Sequence, residues 1–244
     1  MTSSKGPIIS VPKTHPLATT VQTWSSTVDE PVEGDGFLEI LSDEEQARAD
    51  RFHFERDRIR FVARRVFLRN ILATYTGIPA REIRYGSSPK GKPQLDPPCD
   101  VFFNTSQSDG VAVIAVANLP LVGVDIEHIR PVPDALDIAH RYFSPNELEI
   151  IRSSPKSSRA EKFLTLWTRK ESYVKAIGGG LSIPLNGFDV STRDKAKTGR
   201  VCSSLEDLSF VFATFEALPG FVGAVTLSGK QVTVIDMTSA ADQS

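Results

Sequence analysis

Two carboxylates on one face of a strand are the first chemistry this sequence offers. They are Asp125 and Glu127, in the run Gly123-Val124-Asp125-Ile126-Glu127. Strand alternation puts Val122, Val124 and Ile126 on one face and Gly123, Asp125 and Glu127 on the other, with the two acids roughly 6–7 Å apart along the strand. Such a pair can hold a hard cation through oxygen. It can equally be the solvent face of an edge strand. A second candidate is a helix over residues 159–177, whose apolar stripe runs Phe163, Leu166, Trp167, Val174 and Ile177. Lys170 falls inside the stripe, Glu171 at its margin, and Lys175 four residues after Glu171. Glu171 and Lys175 could simply be an i,i+4 ion pair worth roughly 0.2–0.5 kcal/mol. The alternative is a charged patch facing a cleft, where Glu171 completes a metal site with Asp125 and Glu127. The Gly178-Gly179-Gly180 stop that follows favours the cleft.

Two further segments carry weaker signals. In Lys90-Gly91-Lys92-Pro93 a glycine lets backbone approach a phosphate and lysine supplies point charge. In Phe103-Asn104-Thr105-Ser106-Gln107-Ser108 small polar groups crowd a strand end. Read locally, both are ordinary turns. Between Arg48 and Lys92 stand 12 basic and 4 acidic residues, and the eight basic residues from Arg48 to Arg69 are all arginine. Arginine's planar fork suits phosphate or carboxylate. The segment is therefore either a solvated helix face or a site for a small anion. The histidines (His15, His53, His128, His140) have no ligand spacing, and Cys99 and Cys202 form no CxxC. No phosphate-binding glycine loop, dinucleotide fingerprint or nucleophile elbow occurs.

The elements that must position these groups read as one plan used twice. Ser42-Asp43-Glu44-Glu45 and Ser144-Pro145-Asn146-Glu147 both have capping-box spacing. The two serines are 102 residues apart, and the same offset matches Phe61 with Phe163 in a second helix. Each second helix runs into glycine, at Gly77 and at Gly178. Strands are expected to open each half, over residues 20–24 and 121–127, and hairpins to close it, over 101–116 and 210–227. The expected class is α+β, in two similar halves related by duplication. The boundaries are a flexible arm at 1–16, an N-terminal half at 17–118, a C-terminal half at 119–231 and a tail at 232–244.

The 244-residue chain is 40% hydrophobic and 24% charged with a net charge of −2, ordinary globular values. They exclude a disordered, collagen-like or disulfide-framework protein. The balanced charge gives no reason to expect nucleic acid or an anionic membrane. No apolar run approaches the ~20 residues of a membrane span, and the first residues lack a signal-like apolar core. A cytoplasmic location is expected.

Taken in order, Asn104-Thr105-Ser106, Gly123-Val124-Asp125-Ile126-Glu127 and Trp167-Thr168-Arg169-Lys170-Glu171-Ser172-Tyr173-Val174-Lys175-Ala176-Ile177-Gly178 with Gly180-Leu181 resemble the 4′-phosphopantetheinyl transferases, specifically the surfactin-type branch. The likeness runs from about residue 41 to residue 188, and that branch carries two halves in one chain. The resemblance implies transfer of the phosphopantetheinyl arm of coenzyme A to a serine of an apo acyl or peptidyl carrier protein, releasing adenosine 3′,5′-bisphosphate. It implies Mg²⁺ on Asp125, Glu127 and Glu171, with Glu171 also a candidate base and Lys175 a phosphate ligand or proton relay. It places Arg48, Arg51, Lys92 with Pro93, Ser106, Gln107, Asp125 and Lys175 at coenzyme A. A monomer is expected, since both halves lie in one chain. One position departs from the family pattern Asn-x-Ser-His-Ser: Gln107 stands where histidine is usual. Glutamine donates a hydrogen bond but never carries charge, so weaker coenzyme A binding is expected. Two alternatives remain: a relative that binds coenzyme A or carrier protein without efficient transfer, and a metal-dependent phosphohydrolase using the same acids.

Overall fold

A computed structural model describes residues 20–32, 36–192, 196–203 and 208–238. The N-terminal elements are β1 (Thr20–Thr27), α1 (Phe37–Ile40), α2 (Asp43–Ala49), α3 (Glu55–Thr76), β2 (Arg84–Ser87), β3 (Pro93–Asp96), β4 (Phe102–Ser108) and β5 (Val111–Ala117). There follow β6 (Val122–His128), α4 (Ala135–Tyr142), α5 (Pro145–Ser153), α6 (Lys156–Ile177), β7 (Phe188–Asp189), β8 (Thr198–Arg200), β9 (Cys202–Ser203), β10 (Phe210–Glu216), β11 (Phe221–Ser228) and β12 (Thr233–Asp236). The two principal sheets have strand orders β12-β1-β5-β4 and β6-β11-β10-β8. This is the α+β class expected from the sequence. No helix among the described residues is long and apolar enough to cross a membrane.

The same pairing plan occurs twice. In each half the opening strand lies antiparallel to the last hairpin strand, Trp24 opposite Ile114 and Val124 opposite Val225. Both capping boxes form: Ser42 accepts from the Glu45 N–H, Ser144 from the Glu147 N–H, and each glutamate returns to its serine's N–H. Two 22-residue helices then end on left-handed glycines, Gly77 and Gly178, each at φ 71°. The helices, however, begin at Glu55 and Lys156, so they repeat at 101 residues while the caps repeat at 102. Phe61 and Phe163 are therefore not helically equivalent. The loop between the paired helices absorbs the difference.

Packing puts α3 and α6 on the outside of the two sheets. Trp24, Ile114, Val116 and Phe103 pack with Leu68, Ile71 and Leu72 of α3. Val21, Val113 and Ala115 of the first sheet share a core with Val122, Val124, Ile126, Val225 and Leu227 of the second. Each fully buried Val, Ile or Leu among them contributes about 1.5–3 kcal/mol. Residues 233–236, expected in a tail, instead form β12, which adds to β1 in parallel with Val21 opposite Val234. The Ser25 N–H donates to Thr238 Oγ1 at 2.8 Å, and Met237 is buried beside Trp24. The expected arm at 1–16 lies outside the described residues.

β6 is not the half-solvated edge strand that alternation allowed. Val122, Gly123, Val124, Asp125 and Ile126 are all buried. A Cβ on Gly123 would fall 2.1 Å from the Ser172 carbonyl oxygen and 2.4 Å from the Ala176 N, so only glycine lets α6 lie this close. That approach sets the acids of β6 beside the polar end of α6.

Candidate active site

Asp125 is 6% exposed and lies at the centre of the site. Its Oδ1 accepts from Lys175 Nζ and from Ser106 Oγ, each at 2.8 Å, and Lys175 Nζ also donates to Ser106 Oγ at 2.8 Å. Its Oδ2 is buried with no hydrogen-bond partner. Burial raises the Asp125 pKa, with Lys175 opposing. β4 and β6 are held side by side by polar side chains. The Val124 N–H donates to Asn104 Oδ1 at 2.9 Å, Ser108 Oγ donates to Glu127 Oε2 at 2.9 Å, and the His128 N–H donates to Ser108 Oγ at 3.2 Å. Asn104, Ser106 and Ser108 are alternate residues of β4, so they face β6 together.

Burial also raises Glu127 and Glu171, and the neighbouring acids add to it: Asp125 acts on both, and Glu127 on Glu171. Burial is the larger cause for both, and the mutual repulsion of three carboxylates is a penalty that a bound cation would relieve. Among the described residues, though, no three His, Cys, Asp or Glu side chains stand close enough to form a ready metal cage. The donors are all oxygen, and one of them is buried and unpartnered. That set fits Mg²⁺, which is usually held by one or two carboxylates plus substrate phosphate and water.

Two cavities meet here. The first, of about 1070 Å³, is lined by Arg48, Arg64, Arg65, Tyr85, Ser106, Gln107, Asp125 and Glu127 among others. The second, of about 740 Å³, is lined by Lys92, Asn104, Tyr142, Glu171, Val174, Ile183 and Pro184 among others. Pro93 and Lys175 line both. Lys92 comes from the tight turn 88–92, where Gly91 adopts φ 77° and the Ser88 N–H donates to the Lys92 carbonyl at 2.8 Å. Lys92 Nζ donates to the Val122 carbonyl. Burial pulls the pKa of Lys92 down to about 8.

Most of the expected residues thus converge: Ser106, Gln107, Asp125, Glu127, Arg48, Lys92, Pro93, Glu171 and Lys175 all line one cavity or both. Arg51 does not. It is exposed and lies outside both linings. Lys170 does not face the cleft either. It is fully buried, 2.7 Å from Glu147, and donates to the carbonyls of Leu185 and Phe188. Nor does Glu171 take Lys175 as a simple helix pair, since the Lys175 ammonium sits on Asp125. Sequence reading overlooked the bridging roles of Asn104 and Ser108. The period-2 spacing of polar residues in β4 was the available signal. It also overlooked Arg64 and Arg65, which nothing local distinguishes from the other arginines of α3.

Family resemblance extends over both halves of the chain. Residues 22–119 match the N-terminal domain of 4′-phosphopantetheinyl transferases, and residues 121–225 match the 4′-phosphopantetheinyl transferase superfamily. The chain is similar to the 4′-phosphopantetheinyl transferase HetI of a Nostoc species, at 36% identity over 68% of this chain and 72% of that protein. It is similar to the 4′-phosphopantetheinyl transferase Sfp of Bacillus subtilis, at 31% identity over 79% of this chain and 84% of that one. It also resembles the mouse L-aminoadipate-semialdehyde dehydrogenase-phosphopantetheinyl transferase, at 34% identity over 63% of this chain and 54% of the mouse protein. Two adjoining family matches that meet between the halves, and relatives alike over most of their length, give one conclusion: this chain belongs to the 4′-phosphopantetheinyl transferase family of enzymes.

Proposed function

We propose that this protein transfers the 4′-phosphopantetheinyl arm of coenzyme A to a serine of an apo acyl or peptidyl carrier protein, releasing adenosine 3′,5′-bisphosphate, with Mg²⁺ as cofactor. The observation that carries the reading is the junction of the two cavities at Asp125, Lys175 and Ser106. The first cavity, edged by Arg48 and its neighbours, is suited to the phosphates of the nucleotide. The second, with Tyr142, Val174, Ile183 and Pro184 in its wall, is suited to an uncharged arm.

Asp125, Glu127 and Glu171 would hold the cation, with Asp125 Oδ2 as the donor left open for it. When bound, Mg²⁺ would offset charge on the pyrophosphate as the serine Oγ forms an ester bond to the pantetheine-side phosphorus and the P–O–P anhydride bond breaks, adenosine 3′,5′-bisphosphate leaving. Lys175 and Ser106 orient Asp125 and present hydrogen-bond donors where the pyrophosphate would lie. Arg48, Lys92 and the Gln107 amide bind further phosphate oxygens. Glu171 receives the proton of the carrier serine. The halves divide the work: Arg48, Lys92, Ser106 and Gln107 come from residues 17–118, and the acids with Lys175 from residues 119–231. We read the protein as a cytoplasmic monomer, with the whole site in one chain.

Nucleotide release tests this reading against its rivals. Adenosine 3′,5′-bisphosphate should appear only when coenzyme A, Mg²⁺ and an apo carrier are all present, in amounts equal to the carrier modified. Release without a carrier would identify a phosphohydrolase. Coenzyme A binding with no release would identify a binding relative.

A further inference from the structure

Arg64 is the arginine of α3 whose charge no carboxylate answers among the described residues. Arg56 pairs with Asp57, Arg58 with Glu55, Arg60 with Asp29, and Arg65 and Arg69 with Glu45. Arg64 instead donates its Nε–H to the Arg60 carbonyl at 3.0 Å. It is only half-exposed, and it lines both the first cavity and an adjoining one of about 300 Å³. Gln107 lines the same two cavities and is neutral. The surroundings of Arg64 are adverse: burial lowers its pKa first, and the charges of Arg48, Arg65 and Arg60 lower it further. A partly desolvated guanidinium among like charges destabilises a free protein. Local penalties of this kind belong to functional sites, where a ligand relieves them.

We propose that Arg64 is a phosphate-binding residue of the first cavity, holding one phosphate of coenzyme A through its unpaired guanidinium. The assignment rests on coenzyme A as the occupant of that cavity. Arg48, the neighbouring cation, is exposed and lies over the Phe61 ring, with 5.2 Å from guanidinium to ring centroid. Arg64 is the more enclosed of the two, and its fork can meet two phosphate oxygens at once.

The test is isothermal titration of the full-length protein with coenzyme A and with dephospho-coenzyme A, beside thermal unfolding of the free protein. Arg64→Gln should weaken coenzyme A binding by about 10- to 100-fold, and Arg64→Lys should recover part of the loss. The free Arg64→Gln protein should melt no lower than wild type, because the change removes a like-charge conflict. If the loss disappears with dephospho-coenzyme A, Arg64 holds the 3′-phosphate; if it persists, Arg64 holds the pyrophosphate. Unchanged affinity in Arg64→Gln, with wild type binding normally, overturns the inference and leaves the proposed function standing. So does a fall in melting temperature beside the lost affinity, which would mark a structural arginine. Failure of wild type to bind coenzyme A overturns both.

Discussion

Lys92 is a residue whose burial makes a measurable demand. Its ammonium sits on a backbone carbonyl with no acid to offset desolvation, which brings its pKa to about 8. A lysine lowered in the folded state is stabilised as the proton leaves, so this group adds to folding stability as pH rises through 8 toward the ordinary 10.5. Phosphate binding runs the other way, because it needs the charge. Coenzyme A affinity should therefore be about tenfold weaker at pH 9 than at pH 7, the fraction of free protein still charged falling by that factor. Lys92→Arg should flatten the profile, which titration calorimetry at the two pH values would check. At this scale the sequence was informative where chemistry follows local spacing. Asp125 and Glu127 share a face in any strand. Lys170 misled because its partner Glu147 lies on another helix, and no local pattern announces a buried ion pair.

The elements explain that buried lysine. In each half a glutamate from the capping box accepts from a buried cation of the long helix, and that cation also bonds carbonyls of the segment after the helix. Glu45 meets Arg69, which donates to the carbonyls of Ala80, Arg81 and Ile83. Glu147 meets Lys170, which donates to Leu185 and Phe188. Arg69 and Lys170 are 101 residues apart, the offset of the helices rather than of the caps. Burial pushes Glu147 up and Lys170 down, and their attraction opposes both shifts. Lys170→Met alone should cost about 3–5 kcal/mol by leaving the glutamate buried and unpaired. Lys170→Met with Glu147→Gln, which removes the buried charge but keeps an acceptor oxygen for the Ser144 or Val190 N–H, should recover part of that loss in a chemical denaturation series. Recovery would show that the pair fixes α6 and the loop at 185–188 more than it stabilises them. Capping boxes and glycine stops were readable because they are short-range. The one-residue difference between cap and helix offsets was not, because it lies in a loop.

Across the whole molecule the chain closes on itself. β12, from near the C-terminal end of the described residues, pairs with β1 from their start, and Met237 enters the core around Trp24. A chain ending at residue 231 should lose several degrees of melting temperature, since it exposes the edge of β1 and empties the Met237 site; calorimetry would check this. The four-residue strand was illegible because Thr233-Val234-Ile235-Asp236 is too short to distinguish from a tail. The two-half plan was legible because it is written in repeated caps, helices and hairpins. Where the halves meet was not, since Asn104, Ser106 and Ser108 bridge to β6 through side chains rather than a backbone ladder. The most direct test of the transferase activity is the intact mass of a purified apo carrier protein after incubation with this protein, coenzyme A and Mg²⁺. The carrier should gain one phosphopantetheinyl unit, and the gain should be lost with a chelator and lost with Glu171→Gln. No gain on fatty-acid, polyketide or peptide carriers, or a full gain with Glu171→Gln, would contradict it.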